Sequence, residues 1–263
     1  MDLGLKGKVA VVAGSSQGLG RAIAEALAAE GVDLVINSRS ADKLAVVKAE
    51  IVDATGANVE AVECDLTPSE GADELIDAAR AVFGRVDILV TNTGGPPAGM
   101  FVDHSAEVWR DAIAQNFESV VNLVRAALPG MKERRWGRIL NVTSISVKQP
   151  VEGLILSNAI RAGVTGFAKT VSNEVASFNV TVNNVLPGYT RTERLIHLAE
   201  AISERDDKTI EEVYEGWATE IPMGRLAEPR ELGAVAAFLC SEQASYITGQ
   251  SIAVDGGWIK GLV

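Results

Sequence analysis

Cysteine and histidine are scarce, two of each in 263 residues. Cys64 and Cys240 lie far apart, each inside an apolar pattern, which excludes a disulfide framework. His104 and His197 share no metal-ligand spacing and read as exposed loop or helix residues, so no metal site is expected. Basic residues are also few: 24 Lys and Arg stand against 35 Asp and Glu, a net charge of −11. A surface of that sign repels phosphate backbones and excludes a general nucleic-acid binder, while keeping the protein well hydrated. No uninterrupted apolar run is long enough to span a bilayer, and the opening MDLGLKGK carries no apolar signal region. The chain is therefore expected in the cytoplasm, without a membrane partner. Low-complexity linkers and internal repeats are missing as well.

What remains is a hydrophobic content of 47%, enough for a substantial core. Short β-branched runs alternate with amphipathic stretches. Strands are expected at 8–14, 32–38, 58–65, 86–92, 138–144, 180–188 and 251–257. Helices are expected near 18–30, 41–55, 68–84, 105–134, 155–178, 192–215 and 228–241. The strands are almost continuous in Val, Ile and Leu, as befits a parallel sheet covered on both faces. Right-handed βαβ repeats then predict an α/β, doubly wound Rossmann fold: a seven-stranded parallel sheet with helices on both faces, in one domain over residues 1–263. Such sheets bind ligands beyond the carboxyl ends of their strands.

The stretch AGSSQGLGRAIAEAL follows the first strand and opens a helix. Gly14, Gly18 and Gly20 permit a tight turn, and the helix N-terminus offers unpaired N–H groups to a pyrophosphate. Ser16 and Leu19 lie in the same turn. After the second strand come Asn37, Ser38, Arg39 and Ser40, with no acid to hold a ribose 2′-hydroxyl. Arg39 can instead pair with a 2′-phosphate, which favours NADP over NAD. Asp65 and Leu66 close the third strand; Asp65 suits an Asx-type cap before TPSE, and its place also resembles that of the acid which contacts the adenine ring in short-chain dehydrogenases/reductases.

These features, taken along essentially the whole chain, resemble the short-chain dehydrogenase/reductase family, and its 3-oxoacyl-[acyl-carrier-protein] reductase-like branch in particular. LVTNTGG is similar to the family's Asn-Asn-Ala-Gly segment, with Thr91 and Thr93 as departures and Asn92 and Gly94 at the matching positions. The resemblance puts Asn116 of IAQNFESVVNLV at the catalytic asparagine and Ser144 of GRILNVTS at the catalytic serine. It places NNVLPGYTRTE over the nicotinamide, with Pro187, Gly188, Thr190 and Thr192 as cofactor contacts. It also implies a substrate lid at about 189–221, a small carbonyl or alcohol substrate, and assembly as a homotetramer or homodimer through the long helices 105–134 and 155–178.

One departure bears on the chemistry. The family's Tyr-x-x-x-Lys pair works from one helix face, the lysine lowering the phenol's pKa from its usual ~10. Counting thirteen residues from Ser144 reaches Ser157, and four more reach Arg161. The sequel AGVTGFAKTVSNEVA stays in family register. A serine hydroxyl is a far poorer proton donor than a phenol, and a guanidinium does not reproduce an ammonium's geometry. Lys148, Glu152 and Tyr189 are the nearby groups with titratable protons. The sequence thus points to an NADP(H)-dependent oxidoreductase with a non-standard catalytic pair, or to an NADP(H)-binding sensor or scaffold of the same fold.

Overall fold

The structure is a computed structural model that describes residues 1–262. Seven parallel strands form one sheet in the order β3-β2-β1-β4-β5-β6-β7. They are β1 (Val9–Val12), β2 (Asp33–Ser38), β3 (Val59–Glu63), β4 (Ile88–Thr91), β5 (Gly137–Val142), β6 (Val180–Pro187) and β7 (Ser251–Val254). The helices are α1 (Gly18–Ala29), α2 (Ala41–Thr55), α3 (Ser69–Phe83), α4 (Ala106–Ile113), α5 (Ser119–Arg134), α6 (Ile155–Val175), α7 (Glu193–Asp206), α8 (Ile210–Glu220) and α9 (Pro229–Leu239). The seven-stranded doubly wound fold is the one expected.

Alternation along each strand sorts the core into two layers. Ala10, Val12, Leu34, Ile36 and Val90 point toward α1, α2 and α9. Val11, Ala13, Val35, Leu89 and Ile139 point toward α3, α5 and α6. β1 sits between β2 and β4, so the chain winds outward in both directions from the β1–β4 boundary. The crevice at that boundary receives the carboxyl ends of both strands and is where a ligand fits.

Two helical stretches differ from the expected continuous ones. Residues 105–134 are interrupted by a π turn, Ala114–Glu118, in which the Ser119 N–H reaches back to the Ala114 carbonyl. Residues 192–215 break into α7 and α8 because Asp207 adopts a left-handed backbone (φ 53°) and Thr209 starts a new helix with a reciprocal Thr209–Glu212 cap. α7 and α8 carry a small core of their own, Leu195, Ala199, Val213 and Trp217, against which Tyr189 packs. His104 is half-buried rather than exposed, tucked against the backbone of Gly99, whereas His197 is exposed as expected.

A polar row crosses the sheet interior. Thr91 Oγ1 donates to Asn141 Oδ1 (2.7 Å), Asn141 Nδ2 to Asn184 Oδ1 (3.0 Å), and Asn184 Nδ2 to Ser251 Oγ (3.0 Å). Four neighbouring strands are thereby joined through side chains as well as backbone. Thr91, a departure from the family pattern, is the donor that begins the row.

Candidate active site

The glycine turn is fixed from below. Ser15 N–H donates to the Asn37 carbonyl (2.8 Å) and Ser15 Oγ accepts from Asn37 N–H (3.0 Å), tying the ends of β1 and β2 together. Gly14 and Gly18 have φ of 57° and 58°, which L side chains rarely adopt. A Cβ on Gly20 would lie 2.2 Å from the Gly14 carbonyl oxygen, so the bare backbone at this position lets α1 approach β1. The α1 N-cap, Gln17, makes no side-chain cap, which leaves the first-turn N–H groups available to an anion.

Two cavities meet at this turn and share Gly14, Gln17, Asn92, Thr93 and Gly94. The first, about 410 Å³, reaches toward the ends of β2 and β3 and is lined by Ser16, Arg39, Lys43, Asp65 and Leu66. Asp65 Oδ1 accepts from Thr67 N–H (2.9 Å) in an Asx turn. That backbone bond above all, and the nearby Arg39 charge in small part, hold its carboxyl below the ordinary range, so it stays ionised while facing the cavity. Arg39 is exposed and forms no ion pair among the described residues. Lys43 Nζ donates to Gln17 Oε1 (2.6 Å).

The second cavity, about 290 Å³, runs over the ends of β4, β5 and β6 beneath α7. Gly18, Leu19, Ser144, Ser157, Arg161, Pro187, Gly188, Thr190 and Thr192 line it. Asn92 Nδ2 bonds the Gly14 carbonyl (2.9 Å), bracing the glycine turn from β4. Asn116 lines neither cavity: it is buried in the π turn, accepts from Thr93 Oγ1 (3.1 Å) and donates to the Ala112 carbonyl (3.2 Å). Thr93, the second departure from the family pattern, lines both cavities and thus connects Asn116 to them.

Ser144 Oγ accepts from Ser146 N–H (3.1 Å), and Ser157 Oγ lies 3.5 Å from Ser146 Oγ. Arg161 is buried, and its guanidinium donates to the Val142 carbonyl (2.8 Å). Burial, reinforced by the positive charge of Arg194, lowers its pKa to about 10, so it remains a cation at neutral pH. Tyr189 lines the same cavity, stacked on Trp217, and burial followed by the charge of Glu220 raises its phenol to about 12. Lys148 and Glu152 are exposed and line neither cavity.

Gln17, Lys43 and Arg194 are polar lining residues that lie outside the sequence expectations. Gln17 is an N-cap and the other two lie in helix first turns, positions that carry no spacing signal of their own. Arg194 reaches from α7 across the cavity mouth to donate to the Pro96 carbonyl (2.7 Å). Its outer side is open to solvent, but packing on the inner side lowers its pKa.

Residues 13–259 match a family of proteins described as enoyl-(acyl carrier protein) reductase. The chain is 34% identical over 257 residues to the 3-oxoacyl-[acyl-carrier-protein] reductase of Aquifex aeolicus, covering 98% of this chain and 99% of that one. It is 36% identical over 263 residues to the D-beta-hydroxybutyrate dehydrogenase of Cupriavidus necator, covering 97% and 99%. Among solved structures it superposes with a TM-score of 0.95, at 35% identity and over the whole of both chains, on L-sorbose reductase from Gluconobacter frateurii complexed with NADPH and L-sorbose.

Proposed function

The chain belongs to the short-chain dehydrogenase/reductase family, and from that membership we propose that it is an NADP(H)-dependent oxidoreductase that interconverts a carbonyl and an alcohol on a small molecule. The observation that carries the reading is the convergence of the glycine turn, Ser144, Ser157 and Arg161 on one cavity that continues into a second lined by Arg39. The residues fit the cofactor. The uncapped α1 N-terminus suits a pyrophosphate, Arg39 and Lys43 suit a 2′-phosphate, and Asp65, held in its own turn, suits the adenine side. Ser16, Leu19, Leu66, Asn92 and Gly94 complete that cradle, and Pro187, Gly188, Thr190 and Thr192 take the nicotinamide end. The NADPH complex of the sorbose reductase supports the same cofactor choice.

When bound, the reduced nicotinamide supplies a hydride to a carbonyl carbon, whose oxygen keeps the C=O π pair and takes up a proton; the oxidised form accepts the hydride in reverse. Ser144 and Ser157 hold the reacting oxygen by their hydroxyls. Arg161 stands where the family lysine stands and favours negative charge on that oxygen. Asn116 acts through Thr93 as a positioning residue. With a serine in place of the phenol, the proton comes from water admitted at the mouth. The replaced pair makes turnover slow, because a positioned general acid is typically worth ~10²–10⁴-fold.

A second reading, an NADP(H)-binding sensor or scaffold, is favoured by one feature. Tyr189 is the sole phenol on the cavity among the described residues, and its environment keeps it protonated. Fluorescence titration with NADPH and NADH, followed by a panel of ketones and alcohols, separates the two. Micromolar NADPH affinity with measurable turnover is expected. Affinity without turnover selects the sensor, and no affinity for either nucleotide overturns both. We read residues 1–263 as one nucleotide-binding unit with α7 and α8 as its lid, active in the cytoplasm and assembled as a dimer or tetramer through α4–α5 and α6; sedimentation velocity tests the assembly. No helix among the described residues is long and apolar enough to cross a membrane.

A further inference from the structure

The second cavity contains more positive charge than the proposed reaction requires. One cation, Arg161, faces the reacting oxygen. Arg194 is near enough that its charge disfavours the Arg161 cation, and both line the same cavity. Each guanidinium carries five N–H donors. Among the described residues each has one acceptor, the Val142 carbonyl for Arg161 and the Pro96 carbonyl for Arg194. Neither has a carboxylate within 4.0 Å among the described residues. Arg194 also sits in the first turn of α7, the positive end of a fourteen-residue helix, where a cation is disfavoured. Among the described residues the one acid on the cavity wall is Glu193, which is more than half exposed and faces Lys43 at 3.9 Å. A buried cation beside a second cation and a helix N-terminus is costly unless an anion joins them.

We propose that the substrate is a small oxo acid, or the matching hydroxy acid, whose carboxylate is held by Arg194 while its reacting oxygen meets Ser144, Ser157 and Arg161. This rests on the oxidoreductase reading and narrows its substrate class. The remaining wall, Val151, Leu154, Leu195 and Leu198, is apolar and suits a short aliphatic body between the two oxygen-bearing ends.

Acetoacetate and methyl acetoacetate offer the same ketone and differ by one negative charge. Calorimetric titration of each into protein loaded with NADP⁺, which has no hydride to give, reads binding without turnover. Acetoacetate is expected to bind at least about tenfold tighter than the ester, the worth of one charge-assisted pair. Arg194→Gln keeps an amide donor for the Pro96 carbonyl but loses the charge. It should bring the acid-to-ester ratio close to one and leave NADPH affinity within about twofold, and Arg194→Lys should restore part of the preference. Equal binding of acid and ester, or a ratio unmoved by Arg194→Gln, overturns the proposal. So does a tenfold or greater loss of NADPH affinity in that variant, which would assign Arg194 to the cofactor phosphates. Repeating the titration without cofactor keeps the two readings apart. Protein that ignores both nucleotides but binds acetoacetate through Arg194 defeats the oxidoreductase and leaves the anion site standing. Failure of acetoacetate to bind either form defeats the anion site alone.

Discussion

At the level of single residues, the proposed chemistry turns on the serine and arginine of α6. Ser157 lies beside Ser146 and Arg161 against Val142, an arrangement with hydrogen bonds and charge but no phenol. Installing Ser157→Tyr together with Arg161→Lys should raise turnover of a neutral ketone such as methyl acetoacetate by ~10²–10⁴-fold, measured as NADPH oxidation. An unchanged rate would mean that α6 does not present these positions to the substrate. The cysteines make a second residue-level case. Burial raises Cys64 to about 11, with Glu74 and Asp65 adding to the shift, and burial raises Cys240 to about 12. Only ~10⁻³ or less of either thiol is then thiolate at pH 8, so native protein should take up less than about a tenth of an equivalent of iodoacetamide in an hour. Two equivalents should react in guanidinium, with mass spectrometry counting adducts; rapid native labelling of Cys240 would contradict its placement.

At the level of elements, the sequence carried most of the scaffold. Each expected strand has its counterpart, because continuous Val, Ile and Leu in a strand buried on both faces leaves few alternatives. Two features were not legible. A π turn adds one residue to a helix that continues on either side, which turns the apolar stripe by about 100° but leaves helix-forming residues throughout, so no breaker marks Asn116. The break between α7 and α8 depends on Asp207 taking a left-handed backbone, which Asp tolerates without advertising it. The glycine turn was legible as a motif, but the packing that its third glycine permits was not. Gly20→Ala would place a methyl 2.2 Å from the Gly14 oxygen. Overpacking of that kind costs ~1–3 kcal/mol, and the displaced turn should lose at least about tenfold in NADPH affinity. Chemical denaturation and nucleotide titration read the two effects, and wild-type values for both would show that α1 can retreat from β1 without penalty.

Across the whole molecule, side chains far apart in sequence form one scaffold beneath the cavities, and this long-range pairing is what a linear reading cannot supply. Thr91, Asn141, Asn184 and Ser251 come from four strands, and the hydrogen bonds between them exist only once the sheet order is set. Asn141→Leu would strand a hydroxyl and an amide oxygen in the interior at ~1–3 kcal/mol each. The melting temperature should fall by ~2–4 °C for each kcal/mol lost, and calorimetry that finds no change would mean water replaces the missing partner. The same long-range logic put Arg194 opposite Pro96, two residues 98 positions apart that meet only over the cavity. That contact has a consequence for timing. A hydrogen bond to a charged donor is worth ~1.5–3 kcal/mol, which holds an aperture shut for all but about one part in ten to one part in a hundred of the time. Such a shutter admits solutes in brief windows that recur far more often than a turnover slowed at its chemical step, so a heavier hydride should slow the protein more than added viscosity would.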